Sequence, residues 1–363
     1  MSVDTGIIGL AKSGRTTIFK ALTGIKADLA GPATHIGTTK VPDPRLKVLT
    51  DMLHPKKVVP TEIKFIDLGA SAKGLVESKG ISGEFLAQLS NVDTIIAVVR
   101  AFGDESVPHV EGSVDIRRDI ATIGLELAVS DLAIIEGRLG RIDESLKGAK
   151  QPEREHFLHE QEILLKIKTS LEKDIPIRAL SLTRDDSRAI ASYQFLTAKP
   201  LLIVANIGEE QLPEAASLEV QFNSDYAQLL CRVITLCGKL ETELAQLDET
   251  SAQEFRAEFD MEQSGRDRAI RVSYELLGLV SFFTTASEEL KAWPVQDGTD
   301  ALKAAGKIHS DMERGFIRAE VINCDDLVRC GSIAVARKKG LLRSEGKSYL
   351  VQDGDVITVL FNV

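Results

Sequence analysis

The sequence has 363 residues, of which 44% are hydrophobic and 27% are charged, and its formal net charge is −10 at pH 7. A chain of this length and composition can bury a substantial core and is expected to form two or three domains. It has neither a run of about 20 apolar residues nor a basic leader before an apolar segment, so we expect a soluble, cytoplasmic protein with no membrane partner. The acidic balance excludes a protein that coats nucleic acid through bulk positive charge.

The most informative segment is a glycine-rich loop between an apolar run and a helical pattern. Residues Gly9 to Thr16 read GLAKSGRT, which matches a phosphate-binding loop except that Arg15 stands where the motif has lysine. In such a loop, backbone amides face the phosphates and the hydroxyl of Thr16 is in the position of a Mg²⁺ ligand. Arginine keeps the charge but brings a planar fork in place of a compact ammonium, so phosphate binding can survive while transfer chemistry suffers. Lys12 either reaches the phosphates or faces solvent.

Further apolar runs predict buried strands at 63–68, 94–100, 200–207 and 232–236. Continuous runs such as TIIAVV and LLIVA are typical of a parallel sheet that helices cover on both faces, which indicates an α/β domain. Asp67 lies at the end of the first run, and Asn206 with Glu209 lies at the end of the third. Asp67 fits a magnesium-shell carboxylate, and a strand-end cap is the alternative. Asn206 and Glu209 fit a base-reading pair, which we favour over a simple strand-to-loop turn.

The middle and the end of the chain have different patterns. Leucines recur every seven residues at Leu125, Leu132, Leu139 and Leu146, which predicts a coiled-coil seam. A break at 148–152 and a second helical pattern favour two antiparallel helices inserted into the α/β domain. From about residue 281, short apolar runs between glycine turns predict a small mixed β domain.

Two groups of polar residues bear on partners. The cysteines and histidines form no metal-binding motif, so we expect no metal site built from protein ligands alone. Six basic residues crowd a C-terminal stretch in which Glu345 is the opposing charge, and they form either a solvated face or a docking surface. They are Arg329, Arg337, Lys338, Lys339, Arg343 and Lys347.

The order of these motifs resembles the YchF family of Obg-like ATPases, and the resemblance covers the whole chain. It rests on GLAKSGRTT, VPDPRL, FIDLGASAKG and ANIGEE, and most specifically on KAWPVQDGTDALKAAGKIHSDMERGFIRAEVI and GKSYLVQDGDVITVLFNV near the C-terminus. The resemblance implies an α/β fold with a Ras-like P-loop NTPase domain over 1–112 and 190–280. It also implies a helical hairpin insertion over 113–189 and a C-terminal α+β TGS domain, ubiquitin-like in form, over 281–363.

The resemblance further implies a bound ATP or GTP with Mg²⁺, with ATP preferred because of the pair Asn206 and Glu209. It implies association with the ribosome or structured RNA through the hairpin, the TGS domain and the basic C-terminal face. The implied nucleotide-binding residues are Gly9, Lys12, Ser13, Gly14, Arg15, Thr16, Thr17, Asn206, Glu209, Cys237 and Gly238. The implied Mg²⁺ ligands are Thr16, Asp67 and Thr34.

Three departures from the family pattern all concern hydrolysis. Arg15 replaces the lysine, Gly69-Ala70 inverts the Ala-Gly expected after Asp67, and the segment between residues 31 and 42 is shorter than the family's switch. We therefore predict a divergent, nucleotide-binding regulatory protein with slow or absent hydrolysis, and we assign no catalytic residue. A working Mg²⁺-dependent ATPase or GTPase and an interaction scaffold with a vestigial loop are the alternatives.

Overall fold

The computed structural model describes residues 3–26, 34–68, 83–226, 230–258, 263–286 and 288–362. The chain divides into two compact units. The first comprises Val3–Thr39 and Lys64–Leu276, and the second comprises Lys40–Ile63 and Leu277–Val363.

The secondary structure alternates between strands and helices along most of the chain. The strands are β1 (Val3–Gly9), β2 (His35–Lys40), β3 (Lys57–Val59), β4 (Glu62–Asp67), β5 (Thr94–Arg100), β6 (Leu201–Asn206), β7 (Cys231–Leu236), β8 (Leu279–Thr284), β9 (Glu289–Gln296), β10 (Phe316–Asn323), β11 (Arg343–Glu345) and β12 (Asp355–Phe361). The α-helices are α1 (Arg15–Thr23), α2 (Pro44–Leu53), α3 (Gly83–Ser90), α4 (Ile116–Leu146), α5 (Glu153–Leu171), α6 (Arg184–Ile190), α7 (Ala215–Asp225), α8 (Gly238–Leu244), α9 (Glu249–Glu258), α10 (Gly265–Leu276), α11 (Ala301–Ile308), α12 (Ser310–Arg314), α13 (Cys324–Cys330) and α14 (Ile333–Lys338). Short 3-10 helices occupy Ile177–Ala179, Ala191–Tyr193, Leu196–Ala198 and Glu209–Glu214.

The first unit is built on a six-stranded sheet in the order β2-β4-β1-β5-β6-β7. The pairs β1–β5, β5–β6 and β6–β7 are parallel. Every residue of β5 and β6 is buried, as the continuous apolar runs predict for a sheet that is covered on both faces. The predicted α/β class is confirmed, and the parallel order places the carboxyl ends of β1, β5, β6 and β7 along one edge.

Helices α4 and α5 form an antiparallel pair, as predicted. Glu136 contacts Lys168 near the end of α5 at 2.9 Å, whereas Asp143 accepts a hydrogen bond from Gln161 at 2.7 Å. Apolar side chains of both helices share one core, which holds the pair together independently of these exposed polar contacts. That core includes Ala128, Ile135, Ile142, Ile163, Leu164, Ile167 and Leu171.

The packing of α4 differs from the heptad prediction at its first position. Leu125 is 56% exposed, whereas Leu132, Leu139 and Leu146 pack partly buried against the hairpin core. The reason is that the first turns of α4 bury another face: Ile123 and Leu127 pack in the core of the sheet.

The second unit is built on a mixed sheet in the order β11-β10-β12-β8-β9-β3. Strand β12 pairs antiparallel with β10 and parallel with β8, and β8 pairs antiparallel with β9. Successive residues of β8 face opposite sides, so Phe282 packs with Ala304 of α11 while Phe283 packs with Leu327 of α13. Helices therefore cover both faces of this mixed sheet, in agreement with the α+β class expected for this unit.

Residues 40–63 belong to the second unit, although the predicted boundaries place them in the NTPase domain. Leu46 and Leu49 of α2 are buried in the same core as Phe283, and β3 extends the second sheet by pairing parallel with β9. The segment is too short to show its packing partner from periodicity, because its apolar stripe fits any core of suitable shape.

No helix in the described ranges is long and apolar enough to cross a bilayer.

Candidate functional site

The glycine-rich loop joins β1 to α1 in a left-handed backbone conformation. Lys12 has a φ of 64° and Gly14 a φ of 86°, a region that glycine enters without steric cost. Gly14 is the N-cap residue of α1, and no side chain caps the helix there. No side chain therefore competes with an anion for the positive end of α1.

The interior of the loop is closely packed. A Cβ on Gly9 would lie 2.6 Å from the carbonyl oxygen of Val98 and 2.7 Å from Oγ of Ser13. Ser13 is only 2% exposed, so its hydroxyl lies within the loop. Lys12, by contrast, is exposed. Gly9 and Ser13 thus shape the loop, and Lys12 is free to approach a ligand.

Asn206, the last residue of β6, connects the loop to the start of α8. Its Nδ2 donates to the carbonyl of Ser13 at 3.0 Å, and its Oδ1 accepts from the amide of Gly238 at 3.1 Å. A Cβ on Gly14 would lie 2.1 Å from Nδ2 of Asn206, and one on Gly238 would lie 2.8 Å from Cδ1 of Ile18. The close approach of three segments that are distant in sequence therefore favours glycine at both positions, most strongly at Gly14, where φ is also positive.

A cavity of about 380 Å³ lies beside this junction. Its volume falls within the range of small-molecule sites. Several residues predicted to bind nucleotide line it, namely Gly14, Thr17, Asn206, Glu209 and Cys237. A larger cavity of about 520 Å³ lies elsewhere in the first unit and is lined mainly by apolar side chains of α4 and the sheet. None of the predicted site residues lines that cavity, so the smaller one is the candidate site.

The sequence prediction missed the segment that follows β5. Phe102, Gly103 and Asp104 also line the candidate cavity. Arg100 is 2% exposed, and its guanidinium donates to the carbonyls of Phe102, Asp104 and Val107. A charged residue that ends the buried run TIIAVVR was the available signal, because a buried guanidinium must find several acceptors nearby.

Two other predicted residues, Glu209 and Cys237, lie at the rim and the wall of this cavity. Oε1 of Glu209 is 2.9 Å from Nζ of Lys239, and this contact raises the pKa of the lysine. Both side chains are substantially exposed, so the pair adds little stability. Burial raises the pKa of the Cys237 thiol, which keeps it protonated and unsuited to act as a nucleophile.

Arg15, Thr16 and Asp67 form a compact polar cluster where α1 begins and β4 ends. Nε of Arg15 is 2.7 Å from Oδ1 of Asp67, and Nη1 donates to the carbonyl of Leu68 at 2.9 Å. The hydroxyl of Thr16 donates to Oδ2 of Asp67 at 3.1 Å. Asp67 is completely buried. Its negative charge is thus compensated inside the protein by the guanidinium.

The predicted Mg²⁺ ligands are only partly brought together. Thr16 touches Asp67, but the hydroxyl of Thr34 donates to Gln88 at 3.1 Å. Mg²⁺ is usually held by one or two carboxylates together with phosphate oxygens. Here the carboxylate that contacts Thr16 is already neutralised by Arg15, so these side chains as arranged do not fit a resident Mg²⁺. Gly69 and Ala70, the inverted pair of the sequence pattern, lie outside the described residues.

The basic C-terminal face is less positive than its sequence suggests. Arg337 pairs with Glu320 at 2.7 Å, Arg329 pairs with Asp326, and Arg343 contacts the hydroxyl of Tyr349 at 3.1 Å. Three lysines of the set are exposed: Lys338, Lys339 and Lys347. Glu320 and Asp326 precede the basic stretch, so a count of charges along the stretch does not include them.

Comparisons with known proteins agree with this architecture. The family model YchF-GTPase_C, described as "Protein of unknown function (DUF933)", matches residues 279–362. The chain is 40% identical over 370 residues to the "Ribosome-binding ATPase YchF" of Bacillus subtilis and 37% identical over 368 residues to that of Haemophilus influenzae. Each alignment covers 100% of both proteins.

A solved structure is also similar over nearly the whole chain. It is titled "Structure of the Schizosaccharomyces pombe YchF GTPase" and superposes with a TM-score of 0.86 at 29% identity, covering 99% of this chain and 98% of that one. Full-length identity of this degree to curated relatives shows common descent of both units together. The chain therefore belongs to the YchF family.

Proposed function

We propose that this protein binds a purine nucleotide, ATP in preference to GTP, and acts as a ribosome-associated regulator whose hydrolysis is slow or absent. The observation that carries this proposal is the junction at Asn206. It joins an uncapped helix N-terminus, suited to phosphates, to a cavity of suitable size for a base.

The phosphate end of the site is the start of α1. The left-handed loop turns at Gly14, and the positive end of the helix dipole favours a negative ligand there. Lys12 is exposed beside it and supplies a further positive charge. We assign the phosphates to the loop residues Gly9, Lys12, Ser13, Gly14, Arg15, Thr16 and Thr17.

The base end of the site is the cavity beside Asn206, Glu209, Cys237 and Gly238. A guanine offers its N1 and N2 protons to a carboxylate, and an aspartate is the usual acceptor in GTP-binding relatives. Glu209 has a different reach, and its pairing with Lys239 further occupies the carboxylate. These features weaken the selection of guanine and support a preference for ATP.

Slow or absent hydrolysis follows from the contacts of Arg15. The lysine of an intact loop bridges the terminal phosphates, whereas Arg15 is engaged by Asp67 and the Leu68 carbonyl. Loss of such a clamp costs about 3–4 kcal/mol of transition-state stabilisation, the scale measured for single electrostatic donors in active sites. Mg²⁺, which the resemblance predicts with the nucleotide, would have to displace this guanidinium from Asp67.

Titration of the full chain with fluorescent ATP and GTP analogues tests the nucleotide proposal. We expect saturable binding of both, with a lower Kd for ATP. Replacing Glu209 by aspartate should narrow the difference in Kd between the two nucleotides, while Glu214→Asp, at an exposed position outside the cavity lining, should leave it unchanged. If neither analogue shows saturable binding at roughly tens of micromolar, about −6 kcal/mol, the proposal is refuted.

The ribosome is proposed as the partner because the curated relatives are called ribosome-binding ATPases. The hairpin, the second unit and the lysines of its C-terminal face are the surfaces we assign to this contact. Co-sedimentation with ribosomes tests the face directly through a triple exchange of Lys338, Lys339 and Lys347 to glutamate. Its charge-matched control exchanges Lys47, Lys56 and Lys303, exposed lysines of the same unit. Equal pelleting of both variants would remove the lysine face from the proposal.

A further inference from the structure

The position of Arg15 has a consequence for the metal requirement of the proposed site. Phosphate-binding loops ordinarily receive their nucleotide together with Mg²⁺, which neutralises phosphate charge and links the ligand to a threonine hydroxyl and a nearby carboxylate. In this protein the corresponding side chains are Thr16 and Asp67, and they already contact each other at 3.1 Å. The additional component is the guanidinium of Arg15.

Arg15 pairs with the carboxylate of Asp67 through contacts that a lysine would not reproduce. Its Nε lies 2.7 Å from Oδ1 of Asp67 while its Nη1 donates to the Leu68 carbonyl at 2.9 Å. The planar fork can make both contacts at once, whereas an ammonium is a single point of charge on a flexible stem.

The surroundings of the pair reinforce this arrangement. Asp67 is fully buried, and the side chain of Arg15 is 12% exposed. Nδ1 of His35 lies 3.9 Å from the second oxygen of Asp67, on the same side as Thr16. A dication entering between Thr16 and Asp67 would meet a carboxylate whose charge is already balanced, and it would lie close to a like charge.

We propose that Arg15 takes the electrostatic place of the divalent cation, so that this site binds the metal-free form of a nucleoside triphosphate about as well as the Mg²⁺ form. The proposal rests on the proposed nucleotide function and specifies the state of its ligand. Without Arg15, Asp67 would repel the phosphates, and a cation would be needed between them. With Arg15, the repulsion is cancelled by the protein itself.

The test is the Kd of a fluorescent ATP analogue for the full chain, measured in excess Mg²⁺ and in excess EDTA. We expect the two values for the unmodified protein to agree within about threefold, and Arg15→Lys to bind at least about tenfold more weakly in EDTA than in Mg²⁺. Arg266→Lys is the matched control, because Arg266 also lies in the first unit and donates to Thr39 and the Leu22 carbonyl away from Asp67. Its ratio should equal that of the unmodified protein.

Two outcomes would overturn the inference. One is a tenfold loss in EDTA for the unmodified protein, and the other is an Arg15→Lys variant whose Kd is as insensitive to Mg²⁺ as that of its parent. Absence of binding under both conditions would instead refute the proposed nucleotide function. If Arg15→Lys does not fold, Asp67→Asn takes its place in the test. Removal of the carboxylate should leave the ATP analogue bound in EDTA at least as tightly as in the unmodified protein. A weaker Kd of Asp67→Asn in EDTA would contradict the role assigned to Arg15.

Discussion

The side chain of Asn206 is predicted to stabilise the candidate site by linking the glycine-rich loop to the start of α8. Truncation to alanine measures this stabilisation as a loss in the free energy of unfolding. In Asn206→Ala, the Ser13 carbonyl and the Gly238 amide lose their partners at 3.0 and 3.1 Å. The side chain is 5% exposed, so both groups start from a buried environment. Each buried group left without a partner costs about 1–3 kcal/mol. Because the adjacent cavity can admit water to one of them, we expect a total loss of about 2–4 kcal/mol in the free energy of unfolding.

Urea unfolding of the full chain, together with titration of a fluorescent ATP analogue, separates stability from assembly of the site. The matched control is Asn223→Ala. Asn223 makes a comparable pair of hydrogen bonds to the backbone of Val233, at 2.7 and 3.0 Å, away from the loop. Both variants should be destabilised, but only Asn206→Ala should lose at least about tenfold in nucleotide affinity. An Asn206→Ala variant within about 0.5 kcal/mol of its parent, the range of ordinary surface substitutions, would refute the bridging role.

Two predictions concern the hairpin. Hydrogen bonds from Arg138 at 2.8 and 2.9 Å lower the pKa of Glu160 in the folded protein. The ionised carboxylate therefore adds to the free energy of unfolding at every pH above the unfolded pKa of about 4.3. This stabilisation is lost as the pH falls through the folded pKa. The urea midpoint of Glu160→Gln should therefore lie below that of the parent at pH 7 and approach it as the pH falls. Glu162→Gln, at an exposed position, is the control. A difference in midpoint between Glu160→Gln and the parent that stays constant with pH would contradict this sign. Gly124 lies in the interior of α4, and a Cβ there would meet no atom within 4 Å. Gly124→Ala should therefore stabilise the protein by about 0.5–1 kcal/mol. A thermal midpoint below that of the parent would show that the added methyl group is not tolerated.

Several features of the fold could be predicted because they depend on local patterns. The run TIIAVVR predicts β5 over the residues that form it, and the flanking strand and helix make the glycine loop credible. The antiparallel hairpin follows from helical periodicity interrupted by a break. Its first heptad position, Leu125, is exposed because α4 changes partner along its length, and a repeat cannot show which core each turn meets.

The candidate site likewise divides into residues that local patterns predict and residues that they do not. The sequence predicts the glycine-rich loop after an apolar run, and it predicts Asp67, Asn206 and Glu209 because these polar residues end or follow buried strands. It points to Phe102 only indirectly, through Arg100 at the end of the buried run TIIAVVR, because the position of Phe102 depends on the carbonyls to which Arg100 donates. The predicted boundaries also group residues 40–63 with the first unit, whereas these residues pack in the second. The apolar stripe of α2 is compatible with the core of either unit, so periodicity could not distinguish them.

The sequence by itself determined that this protein has an α/β fold and a glycine-rich loop of the phosphate-binding pattern, with an arginine at the position of the motif's lysine. Only the tertiary structure decided what the arginine contacts. Local rules describe neighbours along the chain, whereas Asp67 and Leu68 reach Arg15 from a strand more than 50 residues away, and Asn206 reaches Ser13 from another 193 residues away. The balance of charge in the site depends on those long-range contacts, because the interaction of a guanidinium with a carboxylate is set by their distance and their burial.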